Sequence, residues 1–132
     1  MFILHISAAT KQYVDTASFK QIYKGKLTAN QTISGVANCH VMVGFVTITH
    51  DRNSDNYPSV SMDSLPLGYC RGVGTSYTNY CNFILFNFDN KSGTFFWSNS
   101  VSSCSAQTQN KALTGKITFN YVNSASLSLY AI

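Results

Sequence analysis

Apolar and polar residues alternate with a period of two along most of the chain from Phe19 onward, as in β-strands whose two faces meet different surroundings. The alternation is clearest at residues 125–131, where serine and tyrosine separate Leu127, Leu129 and Ala131. Clusters of Asn, Asp, Ser and Gly divide the alternating stretches, and these residue types favour turns. The pattern predicts strands at residues 19–28, 31–37, 40–49, 58–63, 81–89, 94–101, 115–122 and 125–131. Short strands joined by turns predict an all-β head at residues 19–132, an antiparallel β-sandwich or jelly-roll-like fold.

Residues 1–18 differ from the head because they carry a helical pattern. Ser7 is a suitable N-cap, and the segment carries an apolar stripe at spacings of three and four. A helix this short is marginal alone in water, so it needs a surface to pack on. We therefore predict a short N-terminal helix that serves as a trimerisation segment. Its stripe consists of Ile6, Ala9, Tyr13 and Ala17.

Two of the predicted strands, at residues 41–48 and 83–88, are apolar on both faces. In an antiparallel sheet one face normally meets water, so such strands need a second cover. A neighbouring subunit would supply it, which favours an assembly. A long loop of the same chain, or a sandwich whose central strands are well buried, is the alternative.

Composition narrows the classes of function. Charged residues make up only 11% of the chain, and the net charge of +4 is mild, without the dense basic stripe typical of nucleic-acid binders. Lys20, Lys24 and Lys26 would share one face of the first strand, either as a solvated face or as a contact for an anionic bacterial surface polymer. No apolar run approaches the ~20 residues of a membrane span, and no signal peptide is evident. We expect no nucleic-acid partner, no membrane insertion and synthesis in a reducing cytoplasm.

The spacing of the acidic, cysteine and histidine residues does not match the arrangements typical of catalytic sites. All five acidic residues are aspartates, and nothing in their spacing forces a pair across a cleft. Cys39 and His40 are adjacent, so on a strand they would point to opposite faces. The four cysteines lack zinc spacing and are interpreted as small buried residues, although Cys70 and Cys81 could pair in an oxidising medium. We expect neither enzymatic activity nor a cofactor.

A weak metal candidate lies in the loop after the third predicted strand. Asp51, Asn53 and Asp55 occupy positions one, three and five, as oxygen ligands do in a calcium loop. Met62 stands at position twelve, where such a loop has glutamate, so a polar turn is the preferred interpretation.

The strongest candidate for a contact surface is the segment 67–80, in which glycines free the backbone and tyrosines offer flat, half-polar rings. Tyr, Asn, Ser and Arg are favoured in adaptable recognition loops, and aromatic rings stack on sugar faces. The alternative is that these tyrosines cap the core. The candidate receptor-binding residues are Tyr69, Arg71, Tyr77, Asn79 and Tyr80, with Tyr57 as a weaker addition.

Residues 8–17, AATKQYVDTA, resemble a segment found in bacteriophage tail fibres and related tail proteins, where it precedes or links shaft and head domains. The β head that ends in the apolar strand 127–132 is similar in type to many fibre C-termini. In those proteins the segment usually comes late in a long chain, whereas here it starts at residue 8.

The resemblance implies a host-adhesion protein of the virion tail, made in the host bacterial cytoplasm. It further implies a homotrimer with the helix near its axis, and a β head that recognises a bacterial surface saccharide or protein. Other phage tail proteins would be its further partners. The alternatives are a baseplate or capsid-decoration component that binds only viral proteins, and a depolymerase.

Overall fold

A computed structural model describes residues 19–51, 57–69, 78–88, 91–98 and 101–132, with side chains for all of these except 95–98 and 101–106. Within these residues, nine strands form two antiparallel sheets. The large sheet has the order β1-β9-β2-β5-β6-β7 and the small sheet the order β4-β3-β8. The strands are β1 (Lys20–Leu27), β2 (Val41–Thr49), β3 (Ser59–Met62), β4 (Leu65–Tyr69), β5 (Thr78–Phe88), β6 (Lys91–Ser98), β7 (Val101–Gln109), β8 (Ile117–Asn120) and β9 (Ser124–Ala131).

The main core lies between the two sheets. Every second side chain of the central strands points into it, because successive side chains of a strand lie on opposite faces. The large sheet contributes Met42, Val46, Phe83, Leu127 and Leu129, among others. The small sheet contributes Val60, Met62, Leu65, Leu67 and Ile117. This two-sheet antiparallel arrangement confirms the all-β prediction and is consistent with a β-sandwich.

A second apolar cluster lies on the outer face of the large sheet. It consists of Phe19, Val43 and Ile84, with Val41, Phe86 and Tyr130 packed against it. Val43 is only 2% exposed and Ile84 only 1% exposed within a single chain. At these two positions the second apolar face is therefore already covered without a neighbouring subunit, as in the alternative of well-buried central strands. The predicted trimer gains no support from them.

Most predicted strands are present within a few residues of their predicted bounds, but three segments were interpreted incorrectly. Residues 31–37 form no strand; they contain one bridge, Thr32 to Lys116, and a 3-10 turn at Val36–Asn38. Gly35, with φ 88°, breaks the extended path there. β4 and β7 were not predicted as strands. β4 contains Pro66 and Gly68, β7 is mostly polar, and both lie at sheet edges, where such sequences are tolerated.

The predicted helix and the trimerisation stripe Ile6, Ala9, Tyr13 and Ala17 fall within residues 1–18, outside the described residues. The only helical element in the described part of the chain is the short 3-10 turn.

Strand register defines the two ends of the sandwich. At one end Thr49 pairs with both Thr78 and Ser124, and Ser59 pairs with both Tyr69 and Asn120. We call this the tyrosine end. At the other, the Phe88 end, Val41 pairs with Phe86, and Lys20, the first residue of β1, pairs with Ala131. The chain therefore enters the described fold at the Phe88 end.

Candidate recognition surface

Three tyrosines are exposed at the tyrosine end. Tyr57 and Tyr80 are each 57% exposed, and Tyr121 is 56% exposed. Tyr57 precedes β3, Tyr80 is the third residue of β5, and Tyr121 follows β8. Because the register brings the start of β3, the start of β5 and the end of β8 to one end, these residues lie at the same end of the sandwich although they are far apart in sequence.

Tyr121 was not among the predicted contact residues. Its backbone has φ 58°, a left-handed conformation that is uncommon for a bulky side chain. Strained positions of this kind persist where the surrounding structure holds them, and they cluster at binding and active sites. The only sequence signal was an aromatic residue next to the turn at Asn123, which periodicity alone does not single out.

Of the other predicted contact residues, two are described by the structure and two are not. Tyr69 is half-buried, packs against the main core and ends β4 at the same end. Asn79 is only 4% exposed, so its amide is not presented at the surface. Arg71 and Tyr77 lie outside the described residues. The register thus brings Tyr57, Tyr69 and Tyr80 to one end of the sandwich, and the Asn79 side chain is buried at that end.

A buried polar brace supports the tyrosine end. His50 is 2% exposed, and its Nδ1 lies 2.8 Å from the backbone oxygen of Asp51 while its Nε2 lies 3.0 Å from Nδ2 of Asn79. A carbonyl oxygen only accepts, so we assign Nδ1 as the donor and Nε2 as the acceptor from the Asn79 amide. Both ring nitrogens are therefore engaged. The brace ties the end of β2 to the start of β5, directly beside Tyr80.

The calcium-loop candidate is only partly described, because Asn53 and Asp55 lie outside the described residues. Oδ1 of Asp51 accepts a long hydrogen bond, 3.4 Å, from Nδ2 of Asn123. Among the described residues no three His, Cys, Asp or Glu side chains come together as a metal site would require. Asp51 therefore links the loop after β2 to the turn before β9.

Asp63 is one of the few carboxylates available for catalysis, but its carboxylate is engaged in hydrogen bonds that hold a turn. Its carboxylate accepts hydrogen bonds from the backbone N–H groups of Thr114 (2.8 Å) and Gly115 (2.9 Å), and from the Thr114 hydroxyl. Its backbone oxygen accepts a further one from the Gln109 amide, 2.8 Å away. These contacts fasten the β3–β4 turn to the loop before β8, at the Phe88 end.

An open cleft of about 580 Å³ lies at the Phe88 end. The His40 ring stacks on the Phe88 ring there, with centroids 6.2 Å apart. Cys39 donates its S–H to the Gly35 carbonyl, and burial raises the pKa of the Cys39 thiol. The thiol and the imidazole of this adjacent pair thus have different partners. The cleft is lined by Ala37, Asn38, Cys39, His40, Asn87, Phe88 and Ala112.

No helix among the described residues has the length and apolar character needed to cross a bilayer. Comparison with protein families, with curated proteins and with solved structures gave no match, so residues and geometry alone carry the functional argument.

Proposed function

We propose that this protein is a host-adhesion protein of the phage tail-fibre type, a non-enzymatic homotrimer of the virion tail that recognises a bacterial surface saccharide or protein. The observation that carries the proposal is the position of three exposed tyrosines, Tyr57, Tyr80 and Tyr121, at one end of the sandwich. The chain enters the described fold at the opposite end, where Lys20 pairs with Ala131. Residues 8–17, which resemble a tail-fibre segment, precede that entry. An entry point at one end and exposed tyrosines at the other suit a head that is held at the first end and makes contact with the second.

The chemistry of the tyrosine end suits adhesion. Each phenol ring offers a large flat apolar face with a hydroxyl at its edge, so it contributes contact area at a low cost in side-chain entropy. The buried brace of His50 and Asn79 holds the end of β2 to the start of β5, next to Tyr80 in the chain. A contact of this kind is weak in one copy. Three copies in a fibre, and several fibres in a virion, raise the effective affinity by avidity.

Adsorption of the purified, fluorescently labelled full chain to a panel of bacterial strains, measured by flow cytometry, tests the proposal. We expect at least one strain to bind the protein and the triple variant Tyr57→Ser/Tyr80→Ser/Tyr121→Ser to lose about a hundredfold or more in affinity, since aromatic anchors dominate such contacts. The matched control is Phe88→Ser/Ile132→Ser, which removes two exposed apolar side chains from the opposite end. Equal loss in both variants, or full binding by the tyrosine variant, would contradict the proposed contact surface.

A structural virion protein, such as a baseplate or capsid-decoration component, is the second candidate. The observation that favours it is the exposure of Phe88 and Ile132, each 47% exposed, at the Phe88 end beside the open cleft. Exposed large apolar side chains beside a cleft suit a protein partner. In that case the labelled chain binds phage particles and ignores cells, and the Phe88→Ser/Ile132→Ser variant is the one that loses binding.

A further inference from the structure

A row of polar side chains crosses four strands of the large sheet on its outer face. Lys26 of β1 pairs with Ser126 of β9, Ser126 pairs with Thr47 of β2, and Thr47 pairs with Tyr80 of β5. Along the strands these residues alternate with buried ones, such as Val46 and Leu127. Adjacent side chains of a strand point to opposite faces, so the side chains of the row point away from the main core. The row therefore starts at Tyr80, on the edge of the tyrosine end, and finishes at a lysine.

A second row runs parallel to the first on the same face. Lys24 pairs with Ser128, Ser128 with Phe45, and Phe45 with Asn82. Phe45 also meets the ring of Tyr130 edge-on, with centroids 6.3 Å apart, and so marks the border with the apolar cluster of the outer face. We call the two rows together the hydroxyl face. Neighbouring strands lie about 4.8 Å apart, so the face spans roughly 14 Å from β1 to β5.

The charge of the hydroxyl face has one sign. Lys24 and Lys26 are both exposed at its β1 edge, and Asp51 and Asp63, the two aspartates in the described part of the chain, lie outside both rows. Lys20 does not share the face as predicted, because a register shift between Gln21 and Tyr23 sets it opposite Ala131, whose side chain points into the core. The face thus combines a pair of positive charges, a set of hydroxyl and amide groups, and an aromatic ring at the opposite edge.

We propose that the hydroxyl face binds a strand of acidic polysaccharide. The lysine ammonium groups pair with carboxylates of the sugar chain, and Ser126, Thr47 and Asn82 exchange hydrogen bonds with its hydroxyl groups. The Tyr80 ring stacks on a sugar face where the strand reaches the tyrosine end. This inference rests on the proposed adhesion function and names the class of receptor.

Binding of the full chain to alginate, hyaluronate and polygalacturonate, measured by biolayer interferometry, tests it. We expect binding to at least one of the three, with an affinity that falls as salt screens the lysines. The methyl ester of polygalacturonate, which keeps the sugars and lacks the charge, should bind at least tenfold more weakly than its parent if the parent binds. Lys24→Gln/Lys26→Gln should lose roughly tenfold in affinity, and Lys24→Arg/Lys26→Arg should retain it.

One matched control and one further variant test whether binding is specific to this face. Lys111→Gln/Lys116→Gln removes the same charge from exposed lysines outside the two rows and should change affinity less than about twofold. Thr47→Val keeps the shape of the side chain and removes only its hydroxyl, and it should weaken binding without changing the melting temperature. Equal loss in both lysine pairs, equally tight binding of inorganic polyphosphate, or no binding to any of the three polymers would overturn the inference.

Different results would contradict the proposed adhesion function and the acidic-glycan inference. If the tyrosine variant loses adsorption to cells while the wild-type chain ignores all three polymers, the adhesion function stands and the acidic-glycan inference is wrong. If the polymers bind through Lys24 and Lys26 but no strain binds the protein, the hydroxyl face stands as a glycan site and the proposed host adhesion is contradicted.

Discussion

Asp63 illustrates how much one side chain contributes to this fold. Asp63 and Ser64, with φ of 51° and 70°, form the two-residue turn between Met62 and Leu65. Two-residue hairpin turns with positive φ at both positions match the twist of the strands, and aspartate tolerates this conformation better than most residues. The carboxylate then reaches across to the loop before β8. Asp63 therefore combines a local backbone preference with a long-range link.

We predict that Asp63→Ala lowers the free energy of unfolding by about 2 kcal/mol, since hydrogen bonds to a charged group each contribute on the order of 1.5–3 kcal/mol and the turn relaxes in part. Asp63→Asn should lose less, because asparagine keeps one carbonyl acceptor and the same tolerance of positive φ. Urea denaturation measures the free energy of unfolding of both variants. Equal stability of Asp63→Ala and the wild type would show that the links to Thr114 and Gly115 contribute nothing.

At the scale of elements, the pairing of β2 with β5 organises the large sheet. These strands pair along nine residues, from Val41 with Phe86 to Thr49 with Thr78. In the middle of the pair the Phe83 ring lies over Gly44, and a Cβ at Gly44 would approach the ring to within 2.2 Å. A glycine inside a strand is weakening by itself, yet here its missing side chain makes room for the ring. The two positions form one packing unit.

Gly44→Ala should therefore lower the free energy of unfolding by about 1–3 kcal/mol through overpacking against Phe83. The double variant Gly44→Ala/Phe83→Leu should lose less than the sum of the two single variants, because the smaller side chain admits the new methyl group. Gly93→Ala is the matched control, since its Cβ would meet the nearest atom at 3.4 Å, an ordinary contact. Thermal denaturation of the two Gly→Ala variants, of Phe83→Leu and of the double variant measures these losses of stability. An equal loss of stability for Gly44→Ala and Gly93→Ala would contradict this account of the close approach.

At the scale of the whole molecule, the sandwich covers Val43 and Ile84 within one chain. Surplus apolar strand surface at these positions is therefore not a reason for association. A trimer would have to form through other residues, and the predicted stripe of residues 1–18 is the segment whose spacing suits it. The proposed trimer depends on that stripe rather than on the sheet.

Light scattering on the purified chain should give a mass near three times 14.5 kDa. Ile6→Asp/Tyr13→Asp should shift the mass towards one chain, because charges on the apolar stripe oppose its burial. Gln12→Asp is the control, since it places a charge beside the stripe rather than on it. A single-chain mass for the wild type, or an unchanged trimer in the stripe variant, would be evidence against this mode of assembly.

The sequence by itself determined the class of fold, because period-two alternation in strands such as β2 and β9 is a local consequence of one face being buried. It also indicated Tyr57 and Tyr80 as contact candidates. Strand order and register were decided only in the tertiary structure, since they depend on pairing between distant segments. This is why Asn79 proved buried beside His50, why Tyr121 joined the exposed tyrosines, and why Lys26 and Ser126, a hundred positions apart, lie side by side on the hydroxyl face.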